Sequence, residues 1–155
     1  MEYIVAAESD IGIAKSVNQD SLCVKVAETE LGNAALLLIC DGMGGLAMGE
    51  LASAEVVQSF SEWFENDFPK HLRSFDREDI ARQVAELLSS LNEKLIAYGE
   101  ANRLTMGTTA TGMIIFNQQY LSFHVGGLSS VKLSYRGSHL CQSGSEIRAN
   151  DSPTG

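Results

Sequence analysis

An uninterrupted apolar run, Ala34-Ala35-Leu36-Leu37-Leu38-Ile39-Cys40, ends on a carboxylate, Asp41, and then meets four glycines, Gly42, Gly44, Gly45 and Gly49. An apolar run of this length, bounded by turn-forming residues, suits a strand buried on both faces, and it falls far short of the roughly 20 residues that cross a bilayer as a helix. Such a strand delivers its acid to the C-terminal end of a sheet, where glycines let the backbone turn sharply and approach a ligand closely. Asp-Gly is also a common hairpin pair, so the run locates a candidate site without naming its chemistry. A dinucleotide-binding turn fits Gly42-x-Gly44-x-x-Ala47 loosely. Asp41 would then set a negative charge beside the pyrophosphate, and the Trp63-Phe64-Glu65 segment stands where the strand with the ribose-binding acid belongs. A Walker-type loop fails because no Gly-Lys-Ser/Thr follows the glycines.

Around this run, periodicity divides the chain into strands, two helices and strands again. Glu2 to Ala7 and Ser21 to Ala27 read as strands, the turn Leu31-Gly32-Asn33 follows, and Ala34 to Cys40 makes a third strand. From about Met48, Ala52, Val56, Phe60, Trp63 and Phe64 recur at helical spacing up to the break before Pro69. A second helix carries Ile80, Val84, Leu87, Leu88, Leu91 and Leu95 on one stripe, with Asp76 as N-cap, Asp79 at the third helical position and a fade near Gly99. Thr108 to Phe116, Tyr120 to Val125 and Val131 to Tyr135 then read as strands, with turns at Asn117-Gln118 and Arg136-Gly137. This order predicts an α+β fold: antiparallel β-sheet layers flanked by two long antiparallel helices, not an alternating βαβ fold.

Composition narrows the partners. At 155 residues, 45% of them apolar, residues 1–155 suit one domain with a real core. A net charge of −9, with 20 acidic against 11 basic residues and no Lys/Arg cluster, argues against nucleic acid. Acids gathered at one spot hold divalent cations, whereas scattered acids serve solubility. Cys23, Cys40 and Cys141 are widely spaced without a CxxC pattern, which predicts reduced thiols in a cytoplasmic protein. The first eight residues lack the basic start and apolar core of a signal peptide, so no membrane partner is expected.

Two further stretches complete the pattern. Ser9-Asp10-x-Gly12-x-x-Lys15-x-x-Asn18-Gln19-Asp20-Ser21 is a polar loop leading into a strand, and Gly107-Thr108-Thr109 opens a strand of small hydroxyl residues. With Asp41-Gly42-Met43-Gly44-Gly45 and Gly49-Glu50-x-Ala52-Ser53 between them, these ordered motifs resemble the N-terminal portion of the protein phosphatase type 2C family in its bacterial form. Those are metal-dependent serine/threonine phosphatases, and the resemblance runs from about residue 3 to residue 140.

The resemblance implies part of the type 2C fold, a β-sandwich with outer helices, and a hydrolase using two Mg²⁺ or Mn²⁺ ions. Ions roughly 3.5 to 4 Å apart lower the pKa of a bridging water and neutralise both the attacking and leaving oxygens of an in-line displacement at phosphorus. Hard oxygen ligands suit such hard ions. Carried over by position, Asp41 bridges both ions, the Gly42 carbonyl binds one, and Asp20 holds ion-bound water. Lys15 stands where the family usually has an arginine gripping the substrate phosphate. An ammonium lacks the planar fork of a guanidinium, so its grip is weaker and less directed; the plain alternative is a solvated surface lysine. The implied substrate is a protein phosphorylated on serine or threonine. The alternative is a non-catalytic, phosphatase-like binding module.

Besides Lys15, the sequence departs from the family in three places. Met43 occupies a position where some members carry a histidine able to protonate the leaving alkoxide, which a thioether cannot do. At Phe123-His124-Val125-Gly126-Gly127-Leu128-Ser129-Ser130 the family's Val-Gly-Asp-Ser-Arg loses its aspartate to Gly127 or Leu128, and a lone strand His124 reads as structural. The chain ends at Asp151-Ser152-Pro153-Thr154-Gly155, before the family's later aspartate motifs, with Asp151 reading as a turn residue. These features lead to the expectation of a truncated domain, weakly active or inactive by itself, that forms a homodimer through an uncovered sheet.

Overall fold

The structure, a computed structural model, describes residue 5, residues 19–43 and 48–126, and the backbone of residues 131–136 and 145–147. The expected strand Glu2 to Ala7 lies outside the described residues apart from Val5, as do Lys15, Gly127, Leu128, Cys141 and Asp151.

The first hairpin is β1 (Asp20–Thr29) and β2 (Gly32–Met43), paired antiparallel over the whole of β1 from Asp20↔Asp41 to Thr29↔Gly32. Both strands run past the expected ends because ladder bonds, not apolar character, carry the pairing out to Asp20 and Met43. Helix α1 (Met48–Asn66) stops at the single 3₁₀ turn Phe68–His71, where Pro69 has no amide hydrogen to give to a continuing helix. Helix α2 (Arg77–Asn102) opens as expected on Asp76, whose carboxylate accepts from the Glu78 amide at 2.9 Å. It passes Gly99 by one turn and closes on Arg103 in the left-handed region, with the Leu104 amide donating to the Gly99 carbonyl at 2.8 Å. Gly99 is needed there for packing: a Cβ would come within 2.7 Å of the Leu104 carbonyl oxygen.

Strands β3 (Gly107–Thr108), β4 (Ala110–Phe116), β5 (Gln119–Val125), β6 (Val131–Arg136) and β7 (Ser145–Ile147) follow. The expected strand Thr108 to Phe116 is divided at Thr109 into β3 and β4, and the short β7 was not expected. All pairings are antiparallel, in the order β1-β2-β4-β5-β6-β7, with β3 extending the pairing of β2. The architecture is therefore α+β, an antiparallel sheet with two long helices.

One face of that sheet is packed. Cys23, Leu36, Leu38, Cys40, Ala110, Ile114, Leu121 and Phe123 meet Val56, Phe60, Trp63 and Phe64 of α1 and Ile80, Val84, Leu88 and Leu91 of α2 in one buried cluster. Gly112 has a specific part in this packing. A Cβ there would sit 2.3 Å from the Phe123 ring, which lies across the glycine and stacks on Phe60 at 5.0 Å. Burial raises both described thiols, Cys23 modestly and Cys40 to about 12, so both stay protonated.

The other face corrects an expectation. A strand buried on both sides was predicted for Ala34 to Cys40; on this second face Ala35 is buried and Leu37 half-buried, but Ile39 is 63% exposed between fully buried Leu38 and Cys40, so the cover runs out toward the Asp41 end. Leu22 and Val26 on β1 are exposed on the same side. Among the described residues, no helix is long and apolar enough to cross a membrane.

Candidate functional site

Asp20 and Asp41 lie directly opposite each other where β1 begins and β2 approaches its end, and both are exposed. Directly opposed residues project to the same face of a sheet. The Asp41 amide and carbonyl both point away from β1: the amide donates to Thr109 Oγ1 at 3.0 Å, and the carbonyl accepts from the Thr109 amide at 2.9 Å. Asp20 and Asp41 therefore form a non-hydrogen-bonded pair, the kind that brings opposed Cα atoms to about 4.5 Å and side chains closest together. None of the ion pairs among the described residues uses Asp41.

The backbone beneath this pair is held from the packed side. Gly42 donates its amide to the Gln19 carbonyl at 3.1 Å, and the same carbonyl accepts from the buried Ser53 hydroxyl of α1 at 2.8 Å. Ser53 also meets Ser21 Oγ at 2.8 Å and the Glu50 carbonyl at 3.1 Å. Helix and strand touch backbone to backbone: a Cβ on Gly42 would fall 2.1 Å from the Gly49 carbonyl oxygen. The glycines at 42 and 49 are thus required by this contact, and it brings the start of α1 against the residues flanking both acids.

The sequence-derived site is partly assembled by these contacts. Asp20, Asp41 and Gly42 come together at one end of the sheet, while Lys15 lies outside the described residues. Met43 is half exposed and shares the open face with Asp41. His124 sits two strands away, its Nδ1 at 2.7 Å from Thr111 Oγ1, as a structural histidine would. Ser53 and Thr109 were missed as site residues. Both stand in the quoted motifs, but a hydroxyl's partner is invisible without the register that brings it across.

The donor chemistry suits a hard divalent cation: carboxylate oxygens on a shared face beside a glycine-lined backbone. It is a pair, not a full cage, since no group of three or more His, Cys, Asp or Glu side chains is placed to hold a metal ion among the described residues.

No family model matches the sequence. The chain is 27% identical over 124 residues to a protein phosphatase 2C-type of Streptococcus pyogenes, covering 79% of this chain and 47% of the relative. It superposes on the serine/threonine phosphatase of S. agalactiae with a TM-score of 0.61 and 28% identity, over 82% of this chain and 51% of the other. The fold is that of the type 2C phosphatases. The Mycobacterium tuberculosis serine/threonine phosphatase PstP gives a TM-score of 0.61 at 26% identity, over 94% of this chain and 53% of the other. A further structure, the PstP catalytic domain in complex with two manganese ions, matches at 25% identity and a TM-score of 0.61 over 94% of this chain and 54% of that one. The chain spans about half the length of these type 2C relatives.

Proposed function

We propose that this chain contributes to metal-dependent hydrolysis of phosphoserine and phosphothreonine in proteins, with Asp41 and the Gly42 carbonyl as ligands of Mg²⁺ or Mn²⁺. Asp20 would orient ion-bound water, and Lys15 would attract the substrate phosphate. The observation that carries this reading is the opposition of two exposed carboxylates across a non-hydrogen-bonded pair, beside a backbone locked to α1. Like charges placed directly opposite each other disfavour folding, and a divalent cation converts that repulsion into attraction. When bound, the ions supply an acidified water and neutralise charge on the phosphoryl oxygens. The chain's own residues fix the backbone that aims the Asp41 carboxylate: Thr109 holds it on one side, and Gly42, Gln19 and Ser53 hold the strand beside it.

Calorimetric titration with Mn²⁺ tests the reading, alongside p-nitrophenyl phosphate hydrolysis, for the wild-type chain and Asp41→Asn. Mn²⁺ binding that weakens by at least about tenfold in the variant is expected, and any turnover falls with it. Absence of both binding and turnover would favour a non-catalytic module that engages a phosphoprotein.

The expected homodimer is also a proposal. The face bearing the acids exposes Leu22, Val26 and Ile39, apolar surface that a two-fold interface between copies would bury. A monomeric mass by light scattering at working concentration would end it.

A further inference from the structure

The ladder between β2 and the β3–β4 segment contains one exchange of acceptors. Gly42 pairs with Thr108 and Ile39 with Thr111, so Asp41 stands opposite Thr109. In a regular antiparallel pair of this kind, each residue's amide donates to the other's carbonyl. Half of that pattern is present, with the Thr109 amide donating to the Asp41 carbonyl at 2.9 Å. The other half is replaced. The Asp41 amide donates to the Thr109 side-chain oxygen at 3.0 Å, while the Thr109 carbonyl accepts from the Thr108 hydroxyl at 2.9 Å. Consecutive threonines thus perform a double substitution: one hydroxyl caps the displaced carbonyl, and the next supplies the acceptor that this carbonyl would have provided.

We propose that the Thr109 hydroxyl is the positioning group for Asp41. One residue grips Asp41 at both its amide and its carbonyl, so the direction in which the carboxylate leaves the backbone is set by Thr109 from one side and by β1 from the other. The Thr109 carbonyl is turned to the Thr108 hydroxyl instead of the Asp41 amide, so without the Thr109 hydroxyl that amide loses the acceptor it uses. A hydroxyl is the right group because its oxygen accepts from whichever direction the local backbone demands. The inference rests on the reading of Asp41 as an ion ligand for its functional meaning, and on the hydrogen bonds alone for its structural content.

Thr109→Val removes the oxygen at nearly constant shape, and Thr109→Ser restores it without the methyl group. Amide hydrogen exchange in the metal-free protein, read residue by residue by NMR, and Mn²⁺ calorimetry are the measurements. The Asp41 amide should exchange at least about tenfold faster in Thr109→Val, with the amides of Leu36 to Leu38 unchanged and Thr109→Ser close to wild type. Mn²⁺ affinity should fall about 10- to 100-fold in the valine variant only. Unchanged Asp41 exchange, an equal loss in the serine variant, or uniform loosening of the whole β2–β4 ladder would each overturn the proposal. If the wild-type chain binds no Mn²⁺, the ligand role of Asp41 fails, and the exchange comparison still decides whether Thr109 positions it.

Discussion

The two faces of strand β2 obey different rules. On the packed face, Ala34, Leu36, Leu38, Cys40 and Gly42 are buried, the first four within the core cluster shared with both helices and the glycine against Gly49 of α1. On the open face, Ile39, Asp41 and Met43 are exposed one after another, opposite Leu22 and Asp20 of β1. One segment of sequence, apolar almost throughout, therefore does two jobs. The packed side supplies the stability, and the open side carries charges that stability alone would not select. The contrast teaches that the acids can be held close together because the backbone beneath them is anchored from the opposite face.

The largest effect that tests this contrast compares adjacent residues. Phe60→Ala, which removes the ring stacked on Phe123, should cost about 3–5 kcal/mol, and Leu38→Ala about 2–5 kcal/mol. Ile39→Thr keeps a β-branched side chain on the open face and should change stability by no more than about 0.5 kcal/mol. Urea denaturation of the three variants makes the comparison. A cost at Ile39 similar to that at Leu38 would mean that the open face is covered in solution, which would favour the proposed homodimer.

Gly42→Ala comes next. The residue sits at the junction of the two faces, and a methyl group there meets the Gly49 carbonyl at 2.1 Å and the Gln19 carbonyl at 2.7 Å. Overpacking against backbone should cost about 1–3 kcal/mol and should loosen the Gly42 amide, visible as faster hydrogen exchange. Tolerance of alanine without either change would show that α1 does not anchor the site.

The packed face also predicts a pH dependence. Desolvation by burial raises the Cys40 thiol from 9.0 to about 12, with the charge of Cys23 a smaller cause in the same direction. Above pH 9 the unfolded chain loses this proton while the folded chain keeps it, so stability falls as pH rises from about 9 towards 12. The slope for one such group approaches about 1.4 kcal/mol per pH unit. Cys40→Ala should flatten that part of the profile, measured by denaturation at several pH values, whatever it does to stability at pH 7.

Much of the frame was legible because its signals are periodic. The stripe from Ile80 to Leu91 and the Asp76 cap mark α2, and Pro69 marks where α1 must stop. The open face was not legible. Ile39 and Leu38 are equally apolar, and only the cover each finds in the fold distinguishes them, 63% exposed against 1%. In the site, Asp20 and Asp41 were visible as residue types in ordered motifs, but their opposition depends on a register that runs through the whole hairpin from the Glu30-Leu31 turn. Ser53 and Thr109 were harder still. Their roles lie in backbone atoms they reach 34 and 68 positions away, which no local spacing encodes.

The smallest predicted effect has the opposite sign to the others. Asp41→Asn removes one of two like charges that face each other in a non-hydrogen-bonded pair, and so should stabilise the metal-free chain by roughly 0.2–1 kcal/mol. High salt should shrink the difference, because at 1 M the screening length is only about 3 Å. A gain of this kind would indicate that the pair is kept despite its cost to folding, as expected of a site that awaits a cation. Adding Mn²⁺ should then reverse the order of stabilities, since an ion bound only by the folded wild-type chain stabilises it by mass action. If Asp41→Asn is instead less stable without metal, the carboxylate already has a favourable partner, and the difference between the two faces is one of packing alone.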